Sequence, residues 1–246
     1  MAERNLVGLV YNSRISEAAA LCGALIDLLE LQNRYWIASS SELNVADDKL
    51  ENTSVIITAG GDGTILRTVR IAAPHSVPIL GINLGRVGFM TELPADASIE
   101  KISAYFDDDR RVEERVMIRA TVSTKSDEKV RLQVHALNDV VVSRGAVPRL
   151  LDVDIMIDNV PFTTYRSDGA IVATSTGSTG YALSAGGPVL IPDANVMLVQ
   201  PIAAHMGLQS GIVVPDGSVI ELRVNGANEA VLSVDGFMDT KLGMED

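Results

Sequence analysis

Residues 54–64 read S-V-I-I-T-A-G-G-D-G-T, an apolar run that stops on three glycines in four positions around a single aspartate. Ser54 to Ala59 has the apolar, β-branched character of a buried strand, and the glycines mark a tight turn. Thr64 to Ala73 continues at helical spacing and is stopped by Pro74. The stretch therefore predicts strand, glycine turn and helix in direct succession. Its neighbours repeat that grammar. Leu6 to Tyr11 (LVGLVY) and Val77 to Ile82 (VPILGI) read as two more buried strands, and between Ser16 and Leu31 the residues Ala20, Leu21, Ala24, Leu25, Leu28 and Leu29 recur at helical spacing. Strands apolar on both faces and separated by helices indicate a parallel sheet covered on both sides, an α/β domain.

The pattern changes near residue 97. Asp96 to Phe106 predicts a linking helix, and from residue 110 onward the chain is mostly strand. Val112–Ser123, Leu132–Ser143, Leu151–Ile157, Ala170–Thr174, Val196–Gln200, Val219–Val224 and Ala230–Val234 carry β-branched residues, with clear alternation in V-D-I-M-I-D. Their separators contain Gly, Pro, Asn and Asp, so the second half is expected to be a β-rich, β-sandwich-like domain. The expected division is 1–97 and 98–225, with 226–246 as a C-terminal segment.

Composition narrows the function classes. The chain has 246 residues, 47% hydrophobic and 21% charged, the profile of a folded globular protein. Its net charge of −12 speaks against a nucleic-acid backbone as partner. No apolar run approaches the roughly 20 residues that span a bilayer, and the N-terminus does not read as a secretory signal. The one cysteine, Cys22, excludes an internal disulfide and a cysteine-based zinc site. The expectation is a cytoplasmic protein with neither nucleic acid nor membrane as partner. An anionic small molecule remains compatible, because a helix terminus can bind it within an acidic protein.

Two stretches carry chemistry. A glycine turn that opens a helix leaves backbone N–H groups free beside the positive end of the helix dipole, a phosphate cradle. A bare G-G-x-G also serves as a plain connection, and neither standard phosphate-loop pattern is present. Asp62 decides between them: a carboxylate aimed at phosphate is unfavourable unless it binds magnesium or takes a proton from an attacking hydroxyl. The turn thus points to phosphoryl transfer, with the amides of Gly61 to Thr64 offsetting charge. The second stretch, residues 166–190, mixes Thr174, Ser175, Thr176, Ser178, Thr179 and Ser184 with five glycines, and Tyr181 is its one bulky side chain. So little bulk lets a flat ligand lie on the backbone while hydroxyls and amides bond its ribose and phosphate oxygens.

TAGGDGT (58–64), GINLGRVGF (81–89), ALNDVVVSRG (136–145), RSDG (166–169) and TSTGSTGYALSAGGP (174–188), taken together, resemble the successive motifs of the NAD kinase family. G-G-D-G-T alone is shared with diacylglycerol and sphingosine kinases; the combination with the last motif is specific. The resemblance covers about residues 55–190. It implies transfer of the terminal phosphate of ATP, or of polyphosphate, to the 2′-hydroxyl of the adenosine ribose of NAD. It also implies an α/β nucleotide-binding domain followed by a β-rich one, substrates in the cleft between them, and a C-terminal segment returning to the first domain.

Residue by residue, the resemblance makes Asp62 the proton acceptor and places Gly61, Gly63, Thr64 and Arg67 on nucleotide. Asn138 and Asp139 match a ribose-binding asparagine–glutamate pair, with an acid one methylene shorter; read alone, the pair is better taken as a β-turn. Arg166 and Asp168 match a substrate-binding pair, Arg149 a basic substrate contact, and Thr179, Gly180, Tyr181, Ala182, Leu183 and Ser184 a stretch lining the dinucleotide site. His205 is expected near substrate, whereas His75 and His135 read as structural. Four positions depart from the family pattern. Ser175 stands where proline is usual, Gly180 where alanine is usual and Phe237 where glutamine is common, and 203–211 lacks the usual continuation after the histidine. The implied cofactor is magnesium, or another divalent cation, carried with ATP, with no metal-ligating side chains of the chain's own. A homodimer or homotetramer is implied as well. Two alternatives stay open: a lipid kinase using the same turn, and a catalytically silent NADP-binding regulator.

Overall fold

The computed structural model describes residues 4–85, 88–106, 111–123, 130–146, 149–205, 208–226 and 229–242. The chain divides into two compact units, Met1–Glu113 and Glu114–Asp246. Residue 97, where the sequence pattern changes, lies inside the first unit.

The first unit runs β1 (Leu6–Tyr11), α1 (Ser16–Leu28), β2 (Tyr35–Ser39), α2 (Asp47–Glu51), β3 (Thr53–Gly60), α3 (Asp62–Ala72), β4 (Ile79–Asn83), β5 (Leu93–Pro94) and α4 (Ala95–Lys101). Its five strands form one parallel sheet in the order β2-β1-β3-β4-β5. Parallel strands need crossovers, and the helices supply them. On one face Val7, Leu9, Ile57, Ala59 and Ile82 pack with Ala18, Cys22 and Leu25 of α1 and with Ile102. On the other, Val10 and Ile56 pack with Trp36, Leu50 and Ala72. Both faces are therefore covered, which is why β1, β3 and β4 read as continuous apolar runs. The strand order reverses between β1 and β3, and ligands of doubly wound sheets bind beyond the carboxyl ends of the strands at such a switch point. The G-G-D-G turn follows the carboxyl end of β3.

Strand β2 has no counterpart in the sequence reading. It is an edge strand that alternates exposed and buried, with Trp36 turned in and its indole N–H donating to Thr53 Oγ1 at 2.9 Å, so it lacks the apolar run of its neighbours. The predicted helix 96–106 is α4 followed by a 3₁₀ stretch, Ile102–Phe106.

The second unit is β6 (Ile118–Ser123), β7 (Val130–Ala136), β8 (Asp139–Arg144), β9 (Leu151–Ile157), β10 (Val160–Ser167), β11 (Gly169–Thr174), α5 (Tyr181–Ser184), β12 (Val196–Ile202), β13 (Ile212–Pro215), β14 (Ile220–Asn225), β15 (Ala230–Val234) and β16 (Met238–Leu242). A six-stranded sheet, β13-β12-β11-β8-β15-β16, and a three-stranded one, β10-β9-β14, are both antiparallel. Their inner faces share one core, in which Leu151, Val153, Ile155 and Tyr165 meet Val140, Val142, Ala170, Val172 and Val199, a sandwich-like arrangement. The hairpin β6–β7 adds Ile118, Val122 and Ala136. Over the described residues, the segment after 225 supplies β15 and β16 of the large sheet, β15 pairing with β8.

Two predicted strands are shorter or divided here. Residues 111–117 are not strand, leaving β6 to start at Ile118. The run Leu132–Ser143 breaks at Leu137–Asn138 into β7 and β8. That break is the centre of the second unit's candidate site.

Candidate active site

In the first unit the site is built around Asp62. Gly61 precedes α3 in an extended conformation (φ −121°, ψ −170°), and Asp62 is the first residue of the helix. Ile65, Leu66 and Val69 bury one face of α3 and fix its start against the sheet. The Thr64 N–H closes a turn on the Gly61 carbonyl at 2.8 Å. Asp62 and Gly63 are left at the helix N-terminus with amides that have no acceptor among the described residues. The Thr64 amide, expected to face phosphate, is thus already engaged, and the Thr64 side chain is buried.

The Asp62 carboxylate does not cap its own helix. Its Oδ2 accepts the Phe89 N–H at 2.8 Å and its Oδ1 the Met90 N–H at 3.2 Å. Two fixed donors on two different oxygens set the plane of the carboxylate and leave each oxygen a further lone pair. Gly88 makes this approach possible, because a Cβ there would lie 2.1 Å from Asp62 Oδ1. The G-x-x-G-F motif is therefore part of the aspartate's mounting. Arg86 and Val87 of that motif lie outside the described residues. Gly61 and Gly63 differ from Gly88: chain neighbours and the helix's own backbone aside, a Cβ on either would meet no atom of the described residues within 4 Å. Arg67 lies on α3, one turn beyond Gly63.

In the second unit Leu137 and Asn138 form the bend between β7 and β8. The backbone N–H groups of Leu137, Asn138 and Asp139 all donate to the Asp235 carboxylate, at 3.0, 2.7 and 3.1 Å. From the other side, the Thr174 N–H donates to the Asn138 carbonyl at 2.9 Å and the Thr174 hydroxyl to the Leu137 carbonyl. Asn138 Oδ1 is buried and without a hydrogen-bond partner among the described residues. Asp139 is 6% exposed. Burial, and then the neighbouring Asp235 charge, push its carboxyl up from the ordinary 3.8 to about 6. Asn138, Asp139, Arg144, Gly180, Tyr181 and Asp235 line a cavity of about 700 Å³.

The small-residue stretch behaves differently from its sequence reading. Four of the six hydroxyls expected to bond ribose and phosphate hold the chain's own backbone instead, and Thr176 Oγ1 accepts an Arg115 guanidinium N–H at 3.3 Å. Besides its donation to Leu137, the Thr174 hydroxyl accepts the Gly177 N–H at 3.0 Å. Ser175 Oγ donates to the Ala194 carbonyl, Ser178 Oγ donates to the Ser175 carbonyl and accepts the Leu190 N–H, and Thr179 Oγ1 donates to the Thr176 carbonyl. A proline at 175 has no hydroxyl for the Ala194 contact, which accounts for Ser175 in this chain. Gly177 is dictated by the fold, because a Cβ there would lie 1.9 Å from the Asn138 carbonyl oxygen. At Gly180 an added Cβ would find only one tight neighbour, the Gly177 carbonyl oxygen at 3.2 Å, with Asp139 Oδ2 and Asn138 Nδ2 at 3.8 and 3.9 Å. Ala182 is core, packed with Val141, Ile171, Ala173 and Leu198, while Tyr181, Leu183 and Ser184 are exposed.

Asp168 makes its ion pair with Arg144 (Nε to Oδ1, 2.8 Å), and not with its neighbour in the motif, Arg166. Arg166 is exposed on β10, and its carbonyl accepts the N–H of the exposed His205 at 2.8 Å. Arg149 is exposed just before β9. Of the residues named from sequence, Asn138, Asp139, Gly180 and Tyr181 share one cavity of the second unit, and Asp62 opens α3 in the first. The sequence reading missed Gly88, Arg144 and Asp235, whose partners lie 24 to 98 residues away.

Comparison with known proteins is consistent across sequence and fold. Residues 12–110 match the family model described as the ATP-NAD kinase N-terminal domain, and residues 137–246 the ATP-NAD kinase C-terminal domain. An NAD kinase of Dehalococcoides mccartyi is 40% identical over 98% of this chain and 84% of its own. One from Chloroflexus aurantiacus is 35% identical over 96% and 84%. Among solved structures, a yeast NADH kinase complexed with NADH superposes with a TM-score of 0.78 at 24% identity, over 98% of this chain and 78% of that one. An NAD kinase from Archaeoglobus fulgidus in complex with ATP gives a TM-score of 0.73 at 28% identity, over 96% and 86%. By both family models and by relatives matched along nearly its whole length, this chain belongs to the NAD kinase family.

Proposed function

We propose that this chain transfers the terminal phosphoryl group of ATP, or of polyphosphate, to the 2′-hydroxyl of the adenosine ribose of NAD, giving NADP. The observation that carries the reading is the setting of Asp62. It stands at the mouth of a helix beside a topological switch point, with its carboxylate held by two backbone N–H donors and two unfilled amides next to it. Neither backbone geometry nor packing within the chain requires glycine at 61 or 63, and bare backbone there suits close approach of phosphate.

Asp62 accepts the proton of the 2′-hydroxyl as the new phosphorus–oxygen bond forms and the bond to the leaving nucleotide breaks. The Phe89 and Met90 amides keep the accepting lone pair in place. Gly61, Gly63, Thr64 and Arg67 belong to the nucleotide side, Thr64 through packing of the turn. Asn138 and Asp139 hold ribose hydroxyls, the orphaned Asn138 Oδ1 accepting one of them. Arg149, Arg166, Asp168, Gly180, Tyr181 and His205 bound the dinucleotide. Thr179, Ala182, Leu183 and Ser184 contribute as the stretch that shapes its floor.

Among the described residues no group of three or more His, Cys, Asp or Glu side chains is placed to hold a metal ion. A divalent cation, magnesium or a similar ion, would arrive on the phosphates of ATP and supply charge neutralisation there. The expected setting is a cytoplasmic homodimer or homotetramer. No helix among the described residues is long and apolar enough to cross a membrane.

The test is an assay with NAD, ATP and magnesium that follows NADP. NADP formation supports the reading. Tight NADP binding without turnover identifies a silent binder, and turnover of a diacylglycerol a lipid kinase; either result overturns it.

A further inference from the structure

We propose that Asp235 is a positioning residue for the ribose: its carboxylate clamps the three backbone amides of Leu137, Asn138 and Asp139 and thereby aims the Asn138 side chain. The proposal rests on the reading that Asn138 holds a ribose hydroxyl.

Strand β7 would run on into β8 by its apolar pattern, yet it stops at Leu137. What stops it is an acceptor brought from the far end of the chain. Asp235 and Gly236 are the two central residues of the turn joining β15 to β16, both with positive φ (50° and 68°), and the Phe237 N–H closes the turn on the Val234 carbonyl at 3.0 Å. Such turns accept Asn, Asp or Gly. Only Asp brings two oxygens that accept and never donate, which is what three converging N–H groups need. The Asp235 N–H itself donates to the Asp139 carbonyl at 3.0 Å, so the two bends are tied by four hydrogen bonds.

The clamp does not act on Asn138 alone. Gly177 leans so closely on the Asn138 carbonyl that the bend is trapped between the β15–β16 turn and the 174–180 stretch. Asp235 is 9% exposed and lines the same cavity as Asn138 and Asp139. Among the described residues its side-chain hydrogen bonds all go to backbone, so it serves the site through the bend and not by touching the reacting atoms. Asn138 Oδ1, buried and orphaned, is the group that gains from being held still, because an acceptor that must wander for its partner loses orientation on every encounter.

Kinetics of four proteins test this: the unsubstituted chain, Asn138→Ala, Asp235→Asn and the double variant, each with ATP saturating. Asn138→Ala and Asp235→Asn are each expected to raise the KM for NAD by roughly threefold to tenfold, the size of one or two lost hydrogen bonds. The double variant should be no worse than Asn138→Ala alone within about twofold, because one residue works through the other. Losses that multiply, or an unchanged KM in Asp235→Asn, overturn the proposal. An unchanged KM in Asn138→Ala overturns the ribose reading itself and is recognised separately, from the single variant. Should Asp235→Asn not fold, amide hydrogen exchange on the unsubstituted protein still decides. The amides of 137–139 should exchange as slowly as those of β8, and exchange at the rate of an open loop overturns the clamp.

Discussion

The molecule has two turns rich in glycine and small polar residues, and their similarity ends with composition. In the turn at 60–64 a Cβ on Gly61 or Gly63 would meet nothing among the described residues, and the aspartate between them is steered by amides 27 and 28 residues further on. In the stretch at 174–180 the Thr174, Ser175, Ser178 and Thr179 hydroxyls are engaged by backbone, and Gly177 is squeezed against the Asn138 carbonyl. One turn is small with open space around it, which suits the approach of a ligand. The other is small because the chain itself is crowded. Small residues in a sequence do not distinguish the two causes, but a Cβ added in place does.

The sharpest break of this comparison is at Asp62. Asp62→Asn keeps the size but removes the base, and its amide can accept only one of the Phe89 and Met90 N–H groups; general-base help is worth about 10²–10⁴-fold. Turnover is expected to fall at least roughly a hundredfold, while NAD binding measured by calorimetry stays within about tenfold of the original. Near-normal turnover would reduce Asp62 to a shaper of the turn.

The other aspartate contrasts with it. Asp139 is buried beside a second carboxylate, and its carboxyl is pushed up to about 6. The folded state then holds a proton more tightly than the unfolded chain between the ordinary 3.8 and about 6. Stability contributed by that protonated form is present below pH 4 and is lost as pH rises through 6. Asp139→Asn should therefore be more stable than the parent at pH 7–8, by up to about 3 kcal/mol. The advantage should vanish below about pH 4. Denaturant unfolding at several pH values measures it, and a constant difference across pH would refute the assignment.

Gly177→Ala and Gly63→Ala form a matched pair. At 177 the new methyl strikes backbone, and a loss of roughly 1–3 kcal/mol in thermal unfolding is expected. At 63, inside the first turn of α3 and in open space, the same change should leave stability level or raise it by about 0.4–1 kcal/mol. It should nonetheless weaken turnover by crowding phosphate. If both behaved alike, the distinction between the two turns would fail. A similarly small effect belongs to Asn138→Ala, a loss of about 0.5–1.5 kcal/mol per hydrogen bond, seen in the KM for NAD.

Much of this was written locally. The runs Leu6–Tyr11 and Leu151–Ile157 are strands by their own pattern, and so is Ala230–Val234. The reversal from strand to helix at Gly60–Asp62 is legible too, since strand length, glycine turn and helical period all lie within twenty residues. Two kinds of element were hidden. Edge strands such as β2 and β10 are half-exposed and lack the apolar run that marks a buried strand. The break in Leu132–Ser143 was read over although Asn138 and Asp139 are a turn-forming pair, because apolar residues flank it on both sides.

By itself, then, the amino-acid sequence determined the alternation of parallel strands and helices in the first half, the β-rich second half, the family, and the identity of Asp62 and Asn138 as residues of interest. All of these depend on the period of apolar residues or on short motifs. Only the tertiary structure decided where the backbone amides find acceptors: Phe89 and Met90 on Asp62, Leu137 to Asp139 on Asp235, and the Arg144 side chain on Asp168. Periodicity states which face of an element is buried. It does not state which distant carboxylate will arrive to bond an N–H that its own strand leaves unpaired, and in this chain such bonds hold the groups assigned to the chemistry.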